Sequence, residues 1–153
     1  KFILSNKSNY QNLTDLFMYL ASRNENFHYI ISKNYKKRVI IIDRFIDSTI
    51  AYQHYGMGIN KRLIINLNKL ILKNIKPNFT FINTVSMKNL KSRINKRPKN
   101  RYDKFDHKFY NKVQKGFIKI AKNRKNYMII NSDHKISDNK KKILNKIKSL
   151  LKI

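Results

Sequence analysis

Asp43 and Arg44 directly follow an apolar run at residues 39–42, and the polar stretch after them ends in Tyr52 and Gln53. An arginine in this position can clamp a phosphate with a planar fork of N–H donors, which a lysine cannot reproduce. The Asp-Arg pair alone is weak evidence, because a buried ion pair or a helix cap is its usual explanation. A phosphate site is therefore predicted here only in combination with other motifs.

The surrounding elements alternate between strands and helices. Apolar residues recur at helical spacing between Asn12 and Lys33, which predicts a long helix with Asn12 or Thr14 as its N-cap. Short β-branched or aromatic runs predict strands, and the first is too continuous to alternate, as in strands covered on both faces. Predicted strands occupy 38–43, 79–83 and 127–131, and further helices occupy 61–75, 105–120 and a last stretch to Leu151, capped by Ser137 or Asp138.

This order predicts an α/β fold in which a doubly wound parallel sheet has flanking helices and right-handed crossovers. Ligands of such sheets bind beyond the carboxyl ends of the strands, which places Asp43 and Arg44 at the crevice. The sequence holds three Gly and two Pro and has no linker, so residues 1–153 are predicted to form one domain.

Composition excludes several classes of function. The chain has no cysteine, so thiolate chemistry is excluded, and its four histidines show no metal-ligand spacing, so no metal site is predicted. No apolar run approaches the ~18 residues of a membrane span, and we expect a cytoplasmic protein without a membrane partner. The net charge of +27 leaves nucleic-acid binding open, but 27 of the 35 basic residues are lysines spread along the chain, which favours compositional drift over a specific nucleic-acid site.

Four segments together resemble the thymidylate kinase family. DRFIDSTIAYQ at 43–53 is similar to that family's DRY...S(T/N).AYQ segment, and LFMYLASR at 16–23 to its LLFxAxR helix. IKPNFTFIN at 75–83 is similar to its PDLTIYLD strand, although Asn78 and Asn83 stand where relatives tend to carry Asp. NRYDKFDHKFYNKVQKGFIKIA at 100–121 resembles the family's lid edge and following helix.

The resemblance implies a P-loop kinase-like fold and transfer of the ATP γ-phosphate to dTMP. It implies that Tyr19 stacks on thymine and that Arg23 donates to the 4-oxo group, where cytosine carries an amino donor. Arg44 would hold the acceptor phosphate, Thr49 would meet the N3 edge of the base, and Tyr52 would lie against the sugar and exclude a 2'-hydroxyl. The implied substrate-binding set is Tyr19, Arg23, Asp43, Arg44, Ser48, Thr49, Tyr52 and Gln53.

Taken one at a time, these residues can also be interpreted as structural residues without a role in substrate binding. Tyr19 could be an amphipathic core residue, Arg23 a solvated helix-face charge, and Thr49 and Tyr52 ordinary loop or packing residues.

The resemblance also implies that residues 91–104 form a mobile lid. Positive charge that closes over ATP suits phosphoryl transfer, because it stabilises the charge on the transferred group. The predicted catalytic residues are Arg97 and Arg101, with Arg93 as the third choice. The lysines of the lid are interpreted as solvent-exposed charges.

The sequence contains no GxxxxGK(S/T) phosphate loop, which such kinases need for ATP and magnesium. We therefore expect the first βα unit to lie outside this chain, and the chain alone to be inactive. The resemblance also implies ATP and Mg2+ as cosubstrate and a homodimer. A catalytically dead remnant and a basic nucleic-acid or nucleotide-binding protein remain alternatives.

Overall fold

The computed structural model describes residues 4–5 and 9–153. Its helices are α1 (Asn12–Asn26), α2 (Ser32–Asn34), α3 (Ile46–Thr49), α4 (Lys61–Leu72), α5 (Met87–Asn95), α6 (His107–Ala121) and α7 (Ile136–Leu151), and its strands are β1 (Thr80–Thr84) and β2 (Tyr127–Asn131). Two π-helical stretches, Phe27–Ile31 and Ile50–Gly56, and a 3-10 turn, Arg101–Lys104, complete the elements.

The chain divides into two compact units. The first unit comprises Lys1–Lys76 with Lys99–Ile120, and the second comprises Pro77–Pro98 with Ala121–Ile153. In the part of the chain that the structure describes, no helix is both long and apolar enough to traverse a membrane. The prediction of a single domain stays a prediction.

The predicted long helix is present, because residues 12–34 are helical without interruption. Its middle, Phe27–Ile31, widens into a π-helical turn in which the N–H of Ser32 donates to the carbonyl of Phe27. The predicted caps are wrong: Gln11 occupies the N-cap position, and no side chain caps the helix. The last helix likewise begins after Lys135 rather than at a Ser137 or Asp138 cap.

The strand predicted at 38–43 is absent. Residues 39–42 have no regular structure, and the side chains of Val39 and Ile41 are 65% and 87% exposed rather than buried on both faces. An extended segment becomes a strand only when its N–H and C=O groups pair with a neighbour. Among the described residues no neighbour pairs with it, although Ile40 still packs against the buried cluster of Phe27, Ile31 and Leu72.

The segment after Arg44, for which no helix was predicted, is helical. Helix α3 runs directly into the π-helical stretch Ile50–Gly56, which packs closely against α6. A Cβ atom added to Gly116 would lie 2.5 Å from Cδ2 of Tyr55, and one added to Gly56 would lie 2.6 Å from Cε2 of Phe109. Both glycines are therefore required by the close approach of these two helices.

The second unit contains the sheet. Strands β1 and β2 are parallel, with Thr80 opposite Tyr127 and Thr84 opposite Asn131. Parallel strands need a crossover connection, and the chain between them includes α5 and α6. The predicted α/β class with a parallel sheet and flanking helices is confirmed, and the predicted strands at 79–83 and 127–131 are present within one residue.

Candidate functional site

Among the predicted site residues, Arg23 is buried and its guanidinium donates three hydrogen bonds to described residues. It projects from α1 and is only 9% exposed. Its Nη1 donates to Oδ1 of Asn68 at 2.8 Å. Its Nη2 donates to Oγ1 of Thr49 at 2.8 Å and to the carbonyl of Phe45 at 3.2 Å. A single guanidinium therefore ties α1 to α3 and α4.

Burial lowers the pKa of Arg23 to about 10, because removing a cation from water disfavours the charged form. The guanidinium nevertheless keeps its charge at neutral pH. Three of its five N–H groups donate to described residues, and neither of the other two is engaged by a residue that the structure describes. A cation held this rigidly can direct its remaining donors at an acceptor with little loss of entropy.

Asp15 forms a second buried polar cluster on the same helix, and its side chain is 1% exposed. Arg101 forms an ion pair with Oδ1. The hydroxyl of Tyr102 donates to Oδ2 at 2.6 Å, and Nε2 of Gln53 donates to Oδ2 at 3.0 Å. Arg101 is thus buried in the first unit, and its Nε has no hydrogen-bond partner among the described residues.

Three tyrosine rings lie close to one another beside the Asp15 cluster. The ring of Tyr102 lies 6.4 Å from that of Tyr19 and 5.5 Å, edge to face, from that of Tyr52. Burial, reinforced by hydrogen bonds to Asp15 and Tyr19, raises the pKa of the Tyr102 hydroxyl. Burial likewise raises the pKa of Tyr19. The hydroxyls of Tyr102 and Tyr19 therefore stay protonated at neutral pH and act as neutral hydrogen-bonding groups on an otherwise aromatic wall.

Arg44 adds a cation beside this wall. Its guanidinium carbon lies 5.3 Å from the centroid of the Tyr52 ring, within the range of a cation–π contact. Burial opposes its charge, but the neighbouring Tyr52 and Asp43 outweigh burial and raise its pKa. Its backbone has φ 62°, a left-handed conformation that costs a non-glycine residue free energy and that recurs at functional sites.

The structure therefore brings most of the predicted substrate-binding residues together in the first unit. Asp43 is exposed and acts on the charge of Arg44. Ser48 is half-buried, and its backbone N–H donates to the carbonyl of Phe45 at 3.2 Å. Gln53, for which the sequence suggested no contact, bonds to Asp15 and lies 3.3 Å from the Tyr102 hydroxyl.

The three lid arginines are distributed over both units. Arg93 and Arg97 belong to the second unit, whereas Arg101 belongs to the first. Arg93, at the end of α5, donates to the carbonyl of Ser132 at 2.7 Å, and Nη1 of Arg97 lies 3.1 Å from the carbonyl of Pro98. The two ends of the predicted lid segment are helical, because its start belongs to α5 and its end to the 3-10 turn Arg101–Lys104.

Sequence reasoning missed Asp15, Asn68 and Tyr102. One signal could have found Asp15: it precedes Tyr19 by four residues and Arg23 by eight, so all three lie on one helix face. It is also one of only eight acidic residues in a chain with 35 basic ones. For Asn68, on the buried face of α4, the sequence offers no comparable signal.

A metal site needs several converging ligands. Across residues 4–5 and 9–153, no three His, Asp or Glu side chains converge in a way that could hold an ion. The buried carboxylate of Asp15 is already taken by Arg101, Tyr102 and Gln53. The described residues therefore show no preformed cluster of ligands for the magnesium ion that the resemblance implies.

Comparison with known proteins identifies similar chains. The family model described as thymidylate kinase matches residues 1–143. A thymidylate kinase of Ehrlichia ruminantium (strain Gardel) is 39% identical over 134 residues, which is 86% of this chain and 64% of the relative. That of Wolbachia pipientis wMel is 41% identical over 116 residues, covering 74% of this chain and 57% of the relative.

A solved structure is similar as well. The crystal structure of thymidylate kinase from Ehrlichia chaffeensis matches with a TM-score of 0.72 and 32% identity, covering 93% of this chain and 67% of that one. The chain spans about half to two thirds of the length of the curated relatives it matches, with values from 52% to 66%.

Proposed function

The chain belongs to the thymidylate kinase family, and we propose that it supplies the dTMP site of an enzyme that transfers the γ-phosphate of ATP to dTMP. One observation carries this proposal: the buried guanidinium of Arg23 is bonded to Thr49. These residues come from the two segments, 16–23 and 43–53, that the resemblance assigns to recognition of the base. The two residues are 26 apart in sequence, so their contact is a tertiary one that brings the two segments together.

The chemistry of Arg23 suits thymine. A fixed donor can form a hydrogen bond with the 4-oxo group of thymine. The same donor makes an unfavourable donor–donor contact with the 4-amino group of cytosine. The hydroxyl of Thr49 already accepts from Arg23, so a second lone pair and its own proton remain for the base. The ring of Tyr19 offers a stacking surface one helical turn before Arg23.

Arg44 and Tyr52 suit the monophosphate and the sugar. The guanidinium of Arg44 stays cationic beside the Tyr52 ring, so its remaining N–H groups can clamp a phosphate in a planar fork. The Tyr52 ring is held by aromatic contacts with Tyr102 at 5.5 Å and Phe109 at 6.1 Å. A ring fixed in this way can exclude a 2'-hydroxyl by its bulk.

ATP and magnesium are proposed as the cosubstrate, which in this class of kinase is gripped by a phosphate loop that the 153 residues do not contain. When bound, magnesium neutralises the charge that develops on the transferred phosphoryl group. We propose that the chain alone binds dTMP weakly and does not turn over. A homodimeric assembly and a cytoplasmic location are proposed on the family resemblance.

The test compares two proteins: the 153-residue chain, and the same chain joined behind a segment that carries a GxxxxGK(S/T) phosphate loop. ATP consumption is measured with dTMP, and with dCMP, dUMP and dGMP as controls. Selective turnover of dTMP by the joined chain alone is expected. Folded proteins that both fail with every nucleotide would refute the kinase proposal and favour a dead remnant.

A basic nucleic-acid binder gives a different signature. The charge of +27 attracts any polyanion, so binding of a random oligonucleotide should fall steeply as salt rises. If the same salt dependence governs dTMP and dCMP equally, the charge rather than the Arg23 site accounts for binding. We expect discrimination between dTMP and dCMP to persist at high salt, because Arg23 is buried.

A further inference from the structure

We propose that Asp15 is a positioning residue for the dTMP site, and that Arg101 serves as its buried counterion rather than as an arginine that reaches ATP. The inference rests on the proposed function and extends it to residues outside the segments 16–23 and 43–53. Asp15 does not face the base in this arrangement. It fixes groups that lie beside the rings of Tyr19 and Tyr52.

The first step of the argument is the set of donors around the carboxylate. Arg101 and Tyr102 come from the 3-10 turn Arg101–Lys104, and Gln53 comes from the π-helical stretch Ile50–Gly56. Asp15 itself lies in the first turn of α1. One buried side chain therefore joins three segments that are up to 87 residues apart in sequence.

The second step is what those bonds fix. Tyr102 is bonded through its hydroxyl to Asp15 at 2.6 Å, and its ring lies 5.5 Å from that of Tyr52 and 6.4 Å from that of Tyr19. The backbone of the 3-10 turn is held at its start by its N-cap residue Asn100, whose side chain accepts from the N–H of Tyr102 at 2.9 Å. Two independent restraints therefore set the position of the Tyr102 ring.

The third step explains why the residue is an acid. Both of its oxygens accept from donors: Arg101 at Oδ1, and Tyr102 and Gln53 at Oδ2. An asparagine would turn its NH2 group toward one of these donors in either orientation, so at least one bond would be lost. The buried charge also needs Arg101, because an uncompensated carboxylate in the interior is costly.

The fourth step concerns Arg101. Its guanidinium carbon lies 5.2 Å from the ring centroid of Tyr10 and 5.1 Å from that of Tyr102. Asp15, with Tyr102, raises its pKa although burial opposes the charge. A buried cation that is ion-paired and stacked on two aromatic rings holds the neighbouring side chains in place. This assignment replaces the sequence-based prediction that Arg101 is catalytic.

The experiment uses the full chain and three variants: Asp15→Asn, Tyr102→Phe, and Glu25→Gln as a matched control, because Glu25 is an exposed acid near the end of the same helix. Amide hydrogen exchange of the Arg101–Lys104 turn reports anchoring, and NMR titration with dTMP reports the site. For Asp15→Asn we expect exchange and the dTMP dissociation constant each to rise about tenfold, as for loss of one buried hydrogen bond. Tyr102→Phe should change both in the same direction, and Glu25→Gln neither.

The outcomes separate this inference from the proposed function. Unchanged dTMP affinity in folded Asp15→Asn, or in Tyr102→Phe if the first variant does not fold, would overturn the positioning role. If the wild-type chain binds no dTMP, the proposed function fails, and hydrogen exchange still decides whether Asp15 anchors the turn. Faster exchange in Asp15→Asn but not in Glu25→Gln would then support the anchoring, and equal exchange in both would overturn it.

Discussion

The two units use the same kind of residues in opposite surroundings. In the first unit, Asp15 and Arg101 are buried and paired. In the second, Asp133 accepts from the N–H of Ser86 at 2.9 Å and from Nδ2 of Asn89 at 2.8 Å, and every one of these contacts is exposed. The two networks therefore differ in burial, and also in that, among the described residues, only the buried carboxylate is paired with an arginine.

The difference follows from solvation. Breaking a buried pair leaves a charge without water or a partner, whereas water replaces a lost partner at the surface. Networks of the first kind fix side chains in one arrangement, as a ligand site requires. Networks of the second kind mainly terminate elements, as Asp133 does at the start of α5. The buried polar network lies in the first unit, which is also the unit that contains the candidate site.

The largest effect is expected from Asp15→Leu. This change leaves the Arg101 guanidinium buried without its counterion, which costs about 3–5 kcal/mol in the free energy of unfolding. The double variant Asp15→Leu/Arg101→Met removes both charges and should recover most of that loss, because apolar replacements of a buried pair are often neutral. Urea denaturation of the wild type, the two single variants and the double variant gives the coupling.

Additive effects in that cycle would contradict the comparison, because they would mean that Asp15 and Arg101 contribute independently. A double variant as unstable as Asp15→Leu would point instead to Tyr102 and Gln53 as the partners that matter. In the second unit, the corresponding cycle between Asp133 and Asn89 should give a coupling too small to resolve.

The next effect comes from packing at Gly116. A methyl group there would lie within 3 Å of Cβ, Cγ and Cδ2 of Tyr55, so the ring cannot simply rotate away. Gly116→Ala should therefore destabilise the first unit by about 1–3 kcal/mol, as overpacked positions do. Thermal melting measures this loss. If Gly116→Ala raises the melting temperature, as alanine does in an open helix, the close approach of α6 to Tyr55 is wrong.

Arg44→Lys probes the site itself and should have a smaller effect. Lysine keeps the charge but loses the planar fork and the stacking on Tyr52, so dTMP affinity should fall about tenfold with little change in stability. Arg38→Lys is the matched control, because Arg38 is also exposed and precedes the same segment. Equal dTMP affinity in both variants, measured by NMR titration, would remove Arg44 from the site.

Much of the candidate site was predictable from motifs, because most of its residues lie in the two short segments 16–23 and 43–53. Arg23 and Thr49 were predicted to meet the same base, and the structure places them 2.8 Å apart. Asp15 was not predicted, because a single acid on an amphipathic helix reads as a solvated charge. Its burial depends on Arg101 and Tyr102, which are 86 and 87 residues away.

The fold was predictable where the pattern is local. Helices α4, α6 and α7 follow from their apolar period, but the helical stretch from Ile46 to Gly56 was missed. A π-helical turn closes with i→i+5 bonds, so its side chains do not recur at the α-helical period. The strand predicted at 38–43 failed for another reason: an apolar run encodes extended propensity, whereas pairing depends on a neighbour that the run does not contain.

The smallest effect is expected from Asp133→Asn. The hydrogen bond from Asn89, together with the N–H of Ser86, lowers the pKa of Asp133, so the folded state favours the carboxylate. Its contribution is fully present above the unfolded pKa of about 4 and is lost as pH falls through the folded value. The difference in melting temperature between wild type and Asp133→Asn should therefore be small at pH 7 and vanish toward pH 2. A difference that does not change with pH would show that the carboxylate is not the group being stabilised, and that the second unit depends on contacts other than this exposed network.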